Sequence, residues 1–119
     1  MTEEDITISQ LIEESYGTAK EKGWWEDGES EAHRSPGTMM MLMVTELAEA
    51  FEEVRDGRSL QEIWYREDGK PEGVPAEFAD VLIRIADYCG GKDIPLLRAV
   101  REKLAFNRTR PYRHGGKVA

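Results

Sequence analysis

Glu46 and Glu49, then Glu77 and Asp80, form two acidic pairs, the members of each three residues apart. Spacing of i and i+3 stacks both members on one face of a helix. Each pair lies in a segment that otherwise reads as a buried helix, so packing the two helices together would gather four carboxylates. Burying an unpaired carboxylate costs on the order of several kcal/mol, so a cluster of four calls for cations. An all-oxygen donor set suits hard Mg2+ or Mn2+, and a hard ion on carboxylates points to phosphate chemistry. Di-iron bundles need Glu-x-x-His on two helices. The only histidines, His33 and His114, do not lie three residues after a glutamate.

Glutamates at helical spacing usually form a solvated face, and a lone Glu-x-x-Glu says little. The helical wheel, at about 100° per residue, separates these acids from open surface. In the second helix Met40, Met43, Val44, Leu47, Phe51 and Val54 share one side. Glu46, Glu49 and Glu53 occupy the adjoining strip, beside Leu42 and Ala50. In the third, Phe78, Val81, Leu82, Ile85 and Cys89 form the apolar side, with Glu77, Asp80, Arg84 and Asp87 along its edge. Arg84, one turn after Asp80, is a candidate ion-pair partner for it. Glu53 either completes a metal shell or faces water.

The elements that must position these residues follow from periodicity and punctuation. A first helix is expected over about Ile6 to Lys22, ended by Gly23, then a long loop from Trp24-Trp25 to Ser35-Pro36-Gly37. The second helix starts near Thr38, ends before Gly57, and opens on an apolar run expected to be buried on several sides. Ser59-Leu-Gln-Glu62 fits a capping box opening a short helix through Trp64 and Tyr65. After a Gly- and Pro-rich loop, Pro75 opens a third helix that runs to Gly90-Gly91. Asp93 reads as the cap of a fourth, running to about Arg108 or Arg110, and a loose basic tail follows. The expected fold is all-α, a four-helix-bundle-like single domain over residues 1–119.

Composition sets the outer bounds. A chain of 119 residues supports one core. Charged residues at 34% and hydrophobic ones at 39% suit a small soluble protein. No run approaches the ~18 apolar residues of a membrane span, and the acidic start at Met1 lacks a secretory pattern. The single cysteine, Cys89, reads as core and fits a reducing cytoplasm. The net charge is −8, yet Arg98 to Ala119 holds seven basic residues against one acid, which leaves an acidic body. That body argues against a nucleic-acid-binding module.

Thr45-Glu46-Leu-Ala-Glu49-Ala, followed by Pro71-Glu-Gly-Val-Pro-Ala-Glu77-Phe-Ala-Asp80-Val, resembles the MazG-type family of all-α nucleoside triphosphate pyrophosphohydrolases. The ending Lys103-x-x-x-Asn107-x-x-Arg110-Pro-Tyr-Arg113-His114-Gly-Gly-Lys117 resembles that of a compact single-domain branch. The resemblance spans roughly Gly37 to Lys117. It implies cleavage of a (d)NTP between the α- and β-phosphates, giving monophosphate and pyrophosphate, as in nucleotide-pool house-cleaning. It also implies Mg2+ ligation by Glu46, Glu49, Glu77 and Asp80. One departure stands out: the first acid of the family's EExxE motif is Thr45 here.

The remaining site residues follow from what that chemistry needs. Glu49, then Glu46, is the expected proton acceptor for the attacking water. Lys103, Asn107 and Arg110, at i, i+4 and i+7, share a helix face suited to phosphate, with Arg113 and Lys117 closing over it. Trp25 and Trp64 are the expected base-stacking surfaces. The apolar second helix predicts a homodimer or tetramer whose helices complete the bundle. Two rival readings are a non-catalytic helical interaction module and a hydrolase of other phosphoanhydrides.

Overall fold

The computed structural model describes residues 5–26 and 35–118. Residues 1–4, 27–34 (with His33) and 119, and the side chain of His114, lie outside that description, as does most of the expected loop after Trp25. The described chain is mostly helical: α1 (Ile8–Glu21), α2 (Pro36–Arg55), α3 (Val74–Lys92), α4 (Leu96–Thr109) and a single turn, α5 (Arg113–Gly116). A two-stranded ribbon, β1 (Trp64–Tyr65) and β2 (Pro71–Glu72), sits between α2 and α3. Among the described residues no helix is long and apolar enough to cross a membrane.

Local chemistry sets the boundaries. Thr7 and Gln10 form a reciprocal capping box that opens α1. Ser35 caps α2 by accepting from the Thr38 amide, and Pro36 lies in its first turn, so the helix starts at Pro36, earlier than expected. It stops at Asp56-Gly57, where Gly57 takes φ +84° and donates to the Val54 carbonyl. Asp93 does not cap α4. It closes α3 instead, in the left-handed conformation at φ 55°, with its amide on the Cys89 carbonyl.

The expected short helix over Ser59–Tyr65 is not formed. Trp64 pairs across the ribbon with Glu72, and Tyr65 with Pro71. The Arg66 amide donates to Lys70 O, and Gly69 turns the chain at φ +90°. A Gly-and-Pro loop with these cross-strand bonds satisfies the backbone better than one isolated helical turn. Gly73, at φ +111°, then lets the chain pass tightly beneath the Glu62 carbonyl into α3.

Helix α3 is the centre of the packing, in contact with both α2 and α1, whereas α4 touches α1 and has no buried residue. Gly90-Gly91 does not end α3, which continues to Lys92. The two glycines are instead where the aromatics of the first segment lie against it. A Cβ on Gly90 would strike Tyr16, and one on Gly91 the ring of Trp25. Trp25 meets Tyr16 edge-on at 5.5 Å and donates its indole N–H to Asp87 at 2.7 Å.

The expected burial of the α2 apolar side is corrected. Met39 and Ala50 are buried with Glu46, but Met40, Val44, Leu47, Phe51 and Val54 are exposed, Phe51 by 61%. On α3, Phe78 and Leu82 are exposed as well. The strip carrying the acids therefore packs inside the chain, and the apolar strip faces out. The radius of gyration, 16.9 Å, exceeds the roughly 13–14 Å of a compact chain this long.

Gly91→Ala should destabilise the protein by about 1–3 kcal/mol through overpacking against Trp25. That loss should appear despite the ~1 kcal/mol by which Ala favours a helix. Gly17→Ala, in α1 with open space around it, should show the gain alone. Urea unfolding of the pair measures the contrast.

Candidate metal centre

The seam between α2 and α3 holds the acids. On α2, Met39, Glu46 and Ala50 are the buried positions, spaced seven and four apart, so the glutamate takes a place that an apolar residue would normally fill. On α3, Glu77 stands in the first turn and is only 5% exposed. Glu46, Glu77 and Asp80 each bring an oxygen to within 4.8 Å of the other two. Glu49 is exposed, yet it stands near enough to Glu77 to push that carboxyl up. Three of the four expected ligands, Glu46, Glu77 and Asp80, therefore lie together, and Glu49 belongs to neither group of acids.

Two further acids join them. Glu53, one turn beyond Glu49, and Glu72, on β2, form a second group of three with Glu77, again within 4.8 Å. Glu53 faces this cluster rather than open water, with only 12% of its side chain exposed. Glu72 had no readable signal: it lies outside any helical period, and only the ribbon register brings it in. The same register sets Trp64 directly opposite Glu72, and opposed residues project from one face of a ribbon. Trp64 donates its indole N–H to Glu53 Oε2 at 3.2 Å. The Arg58 guanidinium lies 4.3 Å from the centre of the Trp64 ring and donates to Glu62 at 2.8 Å.

The cations meet the cluster from its edges. Arg84 reaches across to α2 and donates to Glu46 at 2.9 Å, so its close partner is Glu46 and not Asp80. Arg58 lies 3.7 Å from Glu53, and Lys70 3.6 Å from Glu72. Glu77 Oε2 is buried and has no hydrogen-bond partner. A buried carboxylate oxygen in that condition costs more than most single contacts contribute. Burial first, then the hydrogen bond and charge of Glu49 and the charges of Asp80 and Glu72, push the Glu77 carboxyl up to about 8. Asp80 is raised by burial and by Glu46, against the opposing pull of Lys70 and Arg84. A hard divalent ion would remove both penalties, and the all-carboxylate donor set fits Mg2+ or Mn2+.

The other expected site residues lie elsewhere. Lys103 and Asn107 are on α4, but Arg110 lies just past its end in extended backbone, 5.9 Å from the Phe106 ring, so the expected three-residue helix face stops at Asn107. Arg113 lies 5.6 Å from the Tyr112 ring, and Arg113 and Lys117 are exposed. Trp25 is held at the α1–α3 contact, beside Asp87 and away from the ribbon, whereas Trp64 borders the acids. Thr45, where the family pattern has an acid, donates its hydroxyl to the Leu42 carbonyl of its own helix at 2.7 Å. No family model, curated protein or solved structure matches the chain.

Glu77 sets a pH dependence. In the unfolded chain it ionises near its ordinary 4.5, and in the fold near 8. Between those values the folded state holds a proton that the unfolded state has lost, so stability falls as pH rises. The metal-free protein should melt progressively lower from pH 5 to pH 8, and Glu77→Gln should flatten that slope. Scanning calorimetry in chelator-treated buffer reads both.

Proposed function

We propose that the chain is a metal-dependent nucleoside triphosphate pyrophosphohydrolase, releasing pyrophosphate from a (d)NTP by water attack at the α-phosphorus. The observation that carries this reading is Glu77: buried, one oxygen without a partner, and shared between two groups of carboxylates. Such a site is costly in an unliganded protein and becomes favourable when divalent metal and a polyanion arrive together. Glu46, Glu49, Glu77 and Asp80 would hold the ion, with Glu77 losing its proton on ligation. The bound metal would supply charge neutralisation for the phosphates and acidify water.

The residues then divide the work. Glu49 is the one of the four that is exposed, so solvent reaches it, and it accepts the proton of the attacking water. Glu46, ion-paired with Arg84, is better suited to ligation. Arg84 borders the acids and is placed to meet a phosphate oxygen as charge develops. Lys103, Asn107, Arg113 and Lys117, which face solvent, and the half-buried Arg110 remain the phosphate set. Trp64, beside the cluster, is better placed than Trp25 to stack on the base.

Homo-oligomerisation belongs to the same reading. The exposed strip of Met40, Val44, Leu47, Phe51 and Val54, continued by Phe78 and Leu82 on α3, is a larger apolar face than a monomer usually leaves open. A second copy covering it would complete the bundle. The same strip also favours the rival, a helical interaction module without catalysis. Sedimentation should show particles heavier than the 13.6 kDa chain, and Leu47→Glu with Phe51→Glu should yield monomers.

The nucleotide test separates enzyme from module. With Mg2+ or Mn2+, at least one member of a (d)NTP panel should give pyrophosphate and monophosphate. Glu49→Gln and Asp80→Asn should each lower turnover by at least ~100-fold while the fold persists. Activity near normal in either variant breaks the ligand assignment, and silence across the panel with both metals breaks the enzymatic reading.

A further inference from the structure

Glu53, Glu72 and Glu77 come from three different places: the end of α2, the ribbon, and the first turn of α3. They nevertheless bring three carboxylate oxygens within 4.8 Å of one another. Oxygens that share one octahedral Mg2+ or Mn2+, bound at about 2.1 Å, are separated by no more than about twice that bond length. A small inward movement of three side chains therefore suffices to share an ion. An acidic cluster alone would not establish a site, because Arg58 and Lys70 offset part of the charge of Glu53 and Glu72.

The independent observation is Glu77. Only 5% of the residue is exposed, and its Oε2 has no partner. It belongs both to this group and to the group with Glu46 and Asp80. A carboxylate with a spare oxygen, flanked by two separate donor sets, is built to bridge. The surroundings of Glu53 agree. Ligating carboxylates are generally oriented by a hydrogen bond from behind, and Trp64 supplies one at 3.2 Å, itself steadied by the Arg58 guanidinium over its ring.

We propose that Glu53, Glu72 and Glu77 form a second divalent-cation site, joined through Glu77 to the set containing Glu46 and Asp80. It shares Glu77 with the function proposed above and rests on that reading to this extent only, because Glu53 and Glu72 are outside the acidic motifs. The second ion would lie on the ribbon side, between the first set and Trp64. A polyphosphate would then meet two cations in a row and an aromatic ring beyond them.

Mn2+ titration of the full chain, followed by electron paramagnetic resonance and calorimetry, counts the sites without any substrate. Wild type should bind two ions per chain. Glu53→Gln with Glu72→Gln should bind one, its affinity within about threefold of the remaining wild-type site. The amide introduced by Glu53→Gln keeps an acceptor for Trp64, and Glu72→Gln alone, in the ribbon, serves if the double variant fails to fold. Trp64→Phe should weaken only the second site, by about 10-fold or more. A wild-type count of one, or two ions persisting after loss of both acids, overturns this inference and leaves the proposed function standing. No binding at all overturns both.

Discussion

The burial of Glu77 between two helices is the constraint on which the arrangement turns. A carboxyl in the first turn of a helix would ordinarily be stabilised in its charged form by the helix dipole. Here the packing of α2 wins: desolvation and three neighbouring acids hold the proton on Glu77 up to about pH 8. The α2–α3 seam consequently carries buried acids among its packed groups. Its charge balance depends on that proton and on Arg84 across the seam.

The parts around the seam make sense as supports for it. Gly73 permits a backbone approach that a side chain would block, so the ribbon ends directly where α3 begins. That junction puts Glu72 and Glu77 on the same acid group despite their different elements. The ribbon register then sets Trp64 beside both and within reach of Glu53. At the far end of α3, Gly90 and Gly91 admit Tyr16 and Trp25, which fix α1 against the same helix. One helix is thus held at both ends, and the acids lie near its rigid start.

Much of this was legible from residue order. Helical spacing located Glu46, Glu49, Glu77 and Asp80 on facing strips, because i and i+3 positions stack whatever the tertiary fold. The all-α class followed from the same periodicity. Other features needed three dimensions. Glu72 depends on a two-residue ribbon too short for alternation to reveal. Asp93 looked like an N-cap because a Pro follows it at position 95, but a short polar side chain suits the left-handed end of α3 equally well. The direction in which α2 buries itself was also beyond periodicity. Two adjoining strips, one apolar and one acidic, each fit a packed face, and hydrophobicity alone favours the wrong one.

That inversion ties the site to the exterior of the molecule. An isolated chain would normally bury Met40, Leu47 and Phe51 and leave glutamates in water, since apolar burial is worth about 25 cal/mol per Å2. This chain does the opposite, and among its described residues no large side chain is fully buried. Such a fold becomes stable when both strips are satisfied: cations at the acidic seam and an apolar surface over the outer strip. In the proposed reading these are the metal and a second copy of the chain. Each would stabilise α2 in the same orientation, so metal binding and assembly would reinforce one another through a single helix with two demanding faces.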